Sequence, residues 1–215
     1  MATSALNPRT WPRTWIERLA FLKKALAENA KAVSQVLDGL LKTGDGPEAR
    51  VVEAMRYTTL GGGKRIRPFL VTASADLFNV DRPSALRAAA AIEMVHCYSL
   101  IHDDLPAMDD DDYRRGQPST HRKFGDGIAI LAGDALLTQA FHLLVQIPLT
   151  SDIIISVIRE ICEAIGTTQG MLGGQAMDLT SQGKPFSREE LQQIHAAKTG
   201  ALISASVSSA ALLSG

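Results

Sequence analysis

The sequence predicts an all-α fold, a multi-helix bundle made by a single domain, and three observations carry that expectation. Apolar residues recur at three- and four-residue spacing along most of the chain. The periodic stretches are separated by breakers such as "TGDGP" and a glycine triplet, and no stretch reads convincingly as a strand. The length of 215 residues, 46% of them hydrophobic, suits one domain with a sizeable core.

The elements follow in order. Residues 15–42 carry apolar residues at helical spacing and stop before "TGDGP"; with the linker to residue 46 they form an N-terminal unit ahead of a core over 47–215. A shorter helix starts on Pro47 and ends at Gly61–Gly63. Pro68 suits the first turn of the next. An alanine-rich helix runs from near Ser84 to Asp104 or Leu105, where Pro106 resists continuation. Residues 127–147 form another apolar-rich helix. The run "SDIIISVIREICEAI" opens like a strand, but Ile154, Val157, Ile158, Ile161, Cys162 and Ile165 repeat at three and four, so it is a helix. Ser187 and Glu190 form a capping box for the last segment. The closing "ALISASVSSAALLSG" has the composition of a buried helix, so the fold is expected to continue in a longer natural version.

A net charge of −1 with no long basic stretch gives no nucleic-acid footprint. Cys97 and Cys162 both fall in apolar helical patterns and are expected as reduced core thiols, which favours a cytoplasmic setting. No run approaches the roughly 18 apolar residues of a membrane span. The N-terminus lacks the apolar region of a secretory signal; its arginines and hydroxyls before Glu17 leave a transit peptide as the second reading.

The chemistry concentrates in "HDDLPAMDDDDYRRG". Asp103 and Asp104 sit at a helix C-terminus, where a carboxylate is unfavourable by about 0.3–1 kcal/mol. Asp109 through Asp112 add like charge close by, so a cation is needed to compensate. Carboxylates are hard ligands, and Mg²⁺ takes one or two of them beside water and substrate phosphates. A solvated acidic loop is the competing reading. A calcium loop fails, because the alternating acids, central glycine and final glutamate are absent. On an unbroken helix Asp103 and Asp109 lie about 120° apart. A break at Pro106 and a return through "LPAM" bring them together. His96 shares a stripe with Asp103 and is a further ligand candidate.

"GGGKRIRP" sets Lys64 and Arg67 one turn apart behind glycines that let backbone amides approach an anion. It is not a Walker loop, since Arg65 and Thr58 stand where that motif needs Ser or Thr and Gly. A glycine hinge with solvated charges is the alternative. Arg114 and Arg115 can grip phosphate bidentately or merely balance the acids. Lys198 and Thr199 interrupt an apolar helix, where a buried lysine needs a partner. A carboxylate cluster and several cations around an apolar interior suit a phosphorylated, greasy molecule held through magnesium.

"GGGKRIRP", "HCYSLIHDDLPAMDDDDYRRGQPSTH", "LAGDALL", "GGQAMDL" and "KTGAL", in this order from about Val51 onward, resemble the trans-prenyltransferases, the short-chain isoprenyl diphosphate synthases. The four residues between Asp104 and Asp109 match the bacterial-type, farnesyl-forming branch. The resemblance implies a helical bundle around a central apolar cavity. It also implies a homodimer and Mg²⁺- or Mn²⁺-dependent condensation of dimethylallyl or geranyl diphosphate with isopentenyl diphosphate. Carried over by position, Asp103 and Asp109 ligate the metal with Asp104 close by, and Arg114 holds the allylic diphosphate. Gly63, Lys64, Arg67, His96 and Arg115 hold isopentenyl diphosphate. Lys198, Thr199 and Gln175 serve the allylic side and the reacting cation, with Asp178 in support. Tyr98 corresponds to the bulky residue that stops the product at fifteen carbons. An ordinary core tyrosine is the alternative.

The family's second aspartate-rich motif would lie beyond "KTGAL", and Asp134 and Asp178 are isolated and cannot replace it. The expectation is half a metal cage and little or no turnover by this polypeptide. A non-catalytic subunit, a geranylgeranyl-length synthase, a head-to-head condensing enzyme and a terpene cyclase are the other readings. "GGGKRIRP" speaks against the cyclase, which has no isopentenyl diphosphate to hold.

Overall fold

The computed structural model describes residues 14–215 apart from 182 and 184, so the N-terminal stretch behind the transit-peptide reading lies outside the described residues. Helix α1, Trp15–Leu40, opens on a capping box. The Glu17 amide donates to Thr14 Oγ1 at 3.2 Å, and the Thr14 amide donates to Glu17 Oε2 at 3.0 Å. Only its second half buries a face, through Asn29, Val33 and Leu37 at four-residue spacing. Helix α2, Ala49–Leu60, ends at Gly61, and α3 covers Ile66–Leu77.

Helix α4, Arg82–Asp103, is the axis of the molecule. The Asp81 side chain caps it by accepting from the Ser84 amide at 3.1 Å, and Pro83 sits in its first turn. Ala88 through Met94 are buried without interruption, so α4 is enclosed on every side. Its alanines let α1, α2, α3, α6 and α10 approach closely. Helix α6, Asp126–Val145, makes the most extensive of these contacts. It buries Leu136, Leu143 and Leu144, each worth roughly 2 kcal/mol of apolar burial. Helix α7, Ser151–Ile165, buries Ile154, Val157, Ile161 and Ile165, the expected stripe.

Helix α8 covers Met171–Thr180 and α9 covers Arg188–His195, the latter with the expected Ser187–Glu190 box. A π-helical turn over Ala196–Gly200 then leads into α10, Ala201–Leu212. Helix α10 buries Leu202, Ala205, Ser206, Ser209 and Ala210 and leaves Ile203 and Val207 exposed.

Three expectations need correction. Two short strands exist, β1 Tyr113–Arg114 and β2 Gln117–Pro118, paired antiparallel ahead of the five-residue helix α5, Thr120–Phe124. Two-residue strands leave no alternation to detect. Cys97 is buried, but Cys162 is exposed, because its side of α7 faces outward. Helix α6 is long and apolar enough to cross a membrane by length and composition alone, against the expectation of no such run. Its inner face is buried against α4, as in a core helix.

Candidate active site

The acidic segment folds back on itself. Helix α4 stops at Asp103, and Met108 and Asp110 donate their amides to the Leu105 carbonyl at 2.9 and 3.1 Å. The Asp109 amide donates to the Asp103 carbonyl at 2.8 Å, satisfying one of the helix's open acceptors and setting the two residues side by side. Asp110 takes a left-handed backbone at φ 50°, which completes the return.

The six aspartates divide by partner. Asp104 is 2% exposed and accepts from Arg114 Nε at 2.9 Å and from Arg114 Nη2. Arg114 Nη2 also reaches Asp111 Oδ2 at 3.1 Å. Arg122 pairs with Asp112 and lies 4.0 Å from Asp110. Among the described residues, no ion pair engages Asp103 or Asp109. The Asp103 carboxyl is raised to about 6, first by burial and then by the Asp109 and Asp104 charges, against the downward pull of Lys198 and Arg114. Asp104, expected close to the metal, directs its carboxylate at Arg114.

Three acidic, histidine or cysteine side chains do not gather into a ready-made cage among the described residues. Mg²⁺ does not require one. It is held by one or two carboxylates while waters and phosphates fill its shell, and the crowded, unpaired Asp103 and Asp109 fit that demand.

The basic wall stands at the other end of the hairpin. Gly62 and Gly63 have φ 95° and 117°, open to glycine alone. A Cβ on Gly63 would lie 2.7 Å from Arg115 Cζ, so this glycine also makes room for the guanidinium, which donates to the Gly62 carbonyl. Lys64 is exposed, whereas Arg65 turns inward and is buried. Arg67 Nη1 lies 3.5 Å from His96 Nε2, and Arg67 Nε is buried without a partner. Burial first, then the charges of Arg67, Arg115, Arg114 and Arg65, lower His96 to about 3. His96 thus stands beside Arg67 on the basic wall, with burial and the arginine charges favouring its neutral form.

The facing wall comes from α8 and the π-helical turn. Lys198 Nζ lies 2.7 Å from Asp178 Oδ2. A Cβ on Gly174 would collide with the Lys198 backbone, so the two segments touch main chain to main chain. Gln175 is buried, and both of its amide atoms lack a partner. Thr199 is exposed on the same turn. Tyr98 is 5% exposed, sets its ring edge-on to His102 at 5.7 Å, and has its hydroxyl raised by burial and then by Asp103. His102 in turn contacts the Ile130 carbonyl at 3.1 Å.

Sequence reasoning missed several fastenings. Tyr57 Oη donates to the Pro118 carbonyl at 2.8 Å, and Thr58 Oγ1 lies 2.7 Å from Thr120 Oγ1; together they tie α2 to the hairpin and to α5. Arg65 and Glu93 form a buried pair. A glutamate inside an alanine-rich helix was the available signal for it.

This arrangement agrees with the comparisons to known proteins. The family model for polyprenyl synthetase matches residues 48–215. The chain is 54% identical over 168 residues to the farnesyl diphosphate synthase of Escherichia coli, covering 77% of this chain and 56% of that protein. It is 42% identical to the farnesyl diphosphate synthase of Geobacillus stearothermophilus, covering 90% and 66%. It is 48% identical to a geranylgeranyl diphosphate synthase of Cyanophora paradoxa, covering 77% and 56%. An apo crystal structure of an FPP/GFPP synthase from Zymomonas mobilis superposes with a TM-score of 0.86 at 42% identity, covering 91% of this chain and 71% of that one. The chain spans between half and two thirds of the length of the curated relatives it matches. It belongs to the polyprenyl synthetase family.

Proposed function

We propose that the protein condenses an allylic diphosphate, dimethylallyl or geranyl, head to tail with isopentenyl diphosphate, releasing pyrophosphate and forming farnesyl diphosphate. The observation that carries this reading is the return of Asp109 onto the Asp103 carbonyl, which leaves two unpaired carboxylates between the Arg114 hairpin and Lys198. Asp103 and Asp109 would hold Mg²⁺ or Mn²⁺, which supplies positive charge to the departing diphosphate.

The residues divide the work. Arg114, aimed by Asp104, and Lys198, aimed by Asp178, bind the allylic diphosphate and stabilise its growing charge as the C–O bond breaks. Lys64, Arg67, Arg115 and neutral His96 bind isopentenyl diphosphate beside Gly63, and its double bond attacks the allylic cation before a proton leaves. The unpartnered amide of Gln175 and the hydroxyl of Thr199 offer oxygens to that cation, and apolar neighbours keep water from it. Tyr98 limits the tail. The family likeness extends the reading to a cytoplasmic homodimer.

Calorimetry tests the metal step on this chain. Geranyl thiolodiphosphate should bind far more tightly with Mg²⁺ than without, and the Asp103→Asn, Asp109→Asn double variant should lose that dependence. Metal dependence retained in the double variant would refute the assignment. For chain length, Tyr98→Ala in the chain extended to its relatives' length should shift product from fifteen toward twenty carbons. An unchanged product would remove Tyr98 as the gate.

A further inference from the structure

Glu93 has no part in the chemistry above, yet it is buried in the middle of α4 at 1% exposure. Its Oε1 lies 2.8 Å from Arg65 Nη1, and both side chains of the pair are 2% exposed. Arg65 spends its remaining donors inward as well. Nε donates to Ser34 Oγ on α1 at 3.2 Å, and Nη2 donates to the Thr59 carbonyl at the end of α2. One guanidinium therefore fastens α1, α2 and α4 to a single point of the glycine loop.

That point has an unusual backbone. Arg65 sits at φ 47°, ψ 45°, the left-handed region, directly ahead of α3. A non-glycine residue there costs about 1 kcal/mol or more and persists only when its surroundings enforce it. The three contacts of the Arg65 side chain are that enforcement. The reversal has a functional consequence: with Arg65 pointing into the core, its neighbour Lys64 points out, and Arg67 reaches His96.

Electrostatics leads to the same centre. Arg65, Arg67 and Arg115 all lie within charge range of Glu93, and His96 stands one turn further along α4. The guanidiniums of Arg67 and Arg115 at the proposed anion site, with Arg65 behind them, repel one another until that anion arrives. A buried carboxylate behind them removes much of that repulsion in the empty state.

We infer that Glu93, acting through Arg65, is the positioning group of the isopentenyl diphosphate subsite, fixing the loop that presents Lys64 and Arg67 without touching substrate. The inference rests on the proposed function and adds a residue pair to it. It predicts selectivity between the two diphosphates. The allylic side is built from Arg114, Lys198 and the aspartates, none of which bonds to Glu93 or Arg65.

The test is calorimetric titration of this chain with isopentenyl diphosphate and, separately, with geranyl thiolodiphosphate plus Mg²⁺. Glu93→Gln should weaken isopentenyl diphosphate binding tenfold or more and change geranyl thiolodiphosphate binding less than twofold. Glu93→Asp should recover part of the loss. Arg65→Lys combined with Glu93→Gln should be no worse than the poorer single variant, because both act on one contact. Ser34→Ala removes only the Nε partner and keeps the test alive if Glu93→Gln does not fold; it should give a smaller loss confined to isopentenyl diphosphate. Equal losses for both ligands, or an unchanged isopentenyl diphosphate affinity in Ser34→Ala and a folded Glu93→Gln, would overturn the inference. A parent chain that binds neither ligand would overturn the proposed function, and this inference with it.

Discussion

The acidic corner and the basic corner face the same problem and resolve it from opposite sides. Each gathers like charges that repel. At the acidic corner, counter-charges come from nearby in sequence, and most of them stand near the surface: half-buried Arg114 serves buried Asp104 and exposed Asp111, and exposed Arg122 serves Asp110 and Asp112. Two carboxylates are left over, and they are the ones proposed to hold metal. At the basic corner, the counter-charge is one buried carboxylate on a different helix, and Lys64 and Arg115 are left exposed. A surface pair can be loosened cheaply, whereas a buried pair is built into the core. Charge at the first corner should therefore be tunable, and at the second it should be structural.

Breaking the buried pair gives the largest expected effect. Arg65→Ala leaves Glu93 ionised and unpaired inside α4, or forces it to take up a proton, and also leaves the Thr59 carbonyl without its donor. The expected loss is about 3–5 kcal/mol, measured by urea unfolding. A loss below about 1 kcal/mol would mean that the pair is as dispensable as one on the surface.

The contrast also marks what the sequence could and could not tell. In "GGGKRIRP" the residue types alone made Lys64 and Arg67 candidates; Lys64 is exposed, and Arg67 reaches His96. Arg65 has the same charge and the same glycine neighbours but points inward, because its left-handed backbone reverses the direction of its side chain. No periodicity announces a single reversed residue. The return of Asp109 was legible for the converse reason: Pro106 cannot continue a helix, so a turn had to follow. Helix α7 and the Ser187 box were legible because spacing alone fixes them. The Thr14–Glu17 box carried the same signal and was passed over. The hairpin and the π-helical turn escaped because both are shorter than the periods that reveal strands and helices.

A smaller effect sharpens the comparison through pH. His96 remains neutral in the folded basic wall until about pH 3, whereas an unfolded histidine takes up a proton near its ordinary 6.5. Between those values the unfolded chain binds more protons. The His96 contribution to stability therefore falls as pH drops below about 6.5, with a limiting slope of about 1.4 kcal/mol per pH unit. His96→Gln should flatten that slope. Urea unfolding of both proteins between pH 6.5 and 5, without metal, isolates the His96 part as the difference in slope, because Asp103, raised to about 6, titrates in the same window in both. Equal slopes would mean that His96 is charged in the folded protein and that its burial among the arginines does not govern it.

The smallest effect belongs to the outer acids. Arg122 is half-exposed, and so are its partners Asp110 and Asp112. Exposed pairs of this kind contribute about 0–1 kcal/mol, and salt screens them. Arg122→Ala should therefore lower stability by less than about 1 kcal/mol, with the deficit shrinking further in about 1 M salt. Its more telling consequence is local. Two carboxylates beside the Asp109 turn lose their neutralising arginine, so the field at Asp109 becomes more negative, and divalent metal should bind slightly tighter at low ionic strength. Mn²⁺ titration followed by water-proton relaxation measures this in the wild type and the variant. A salt-independent fall in affinity would place Arg122 in the support of the metal-binding turn itself and erase the distinction between a tunable surface corner and a built-in one.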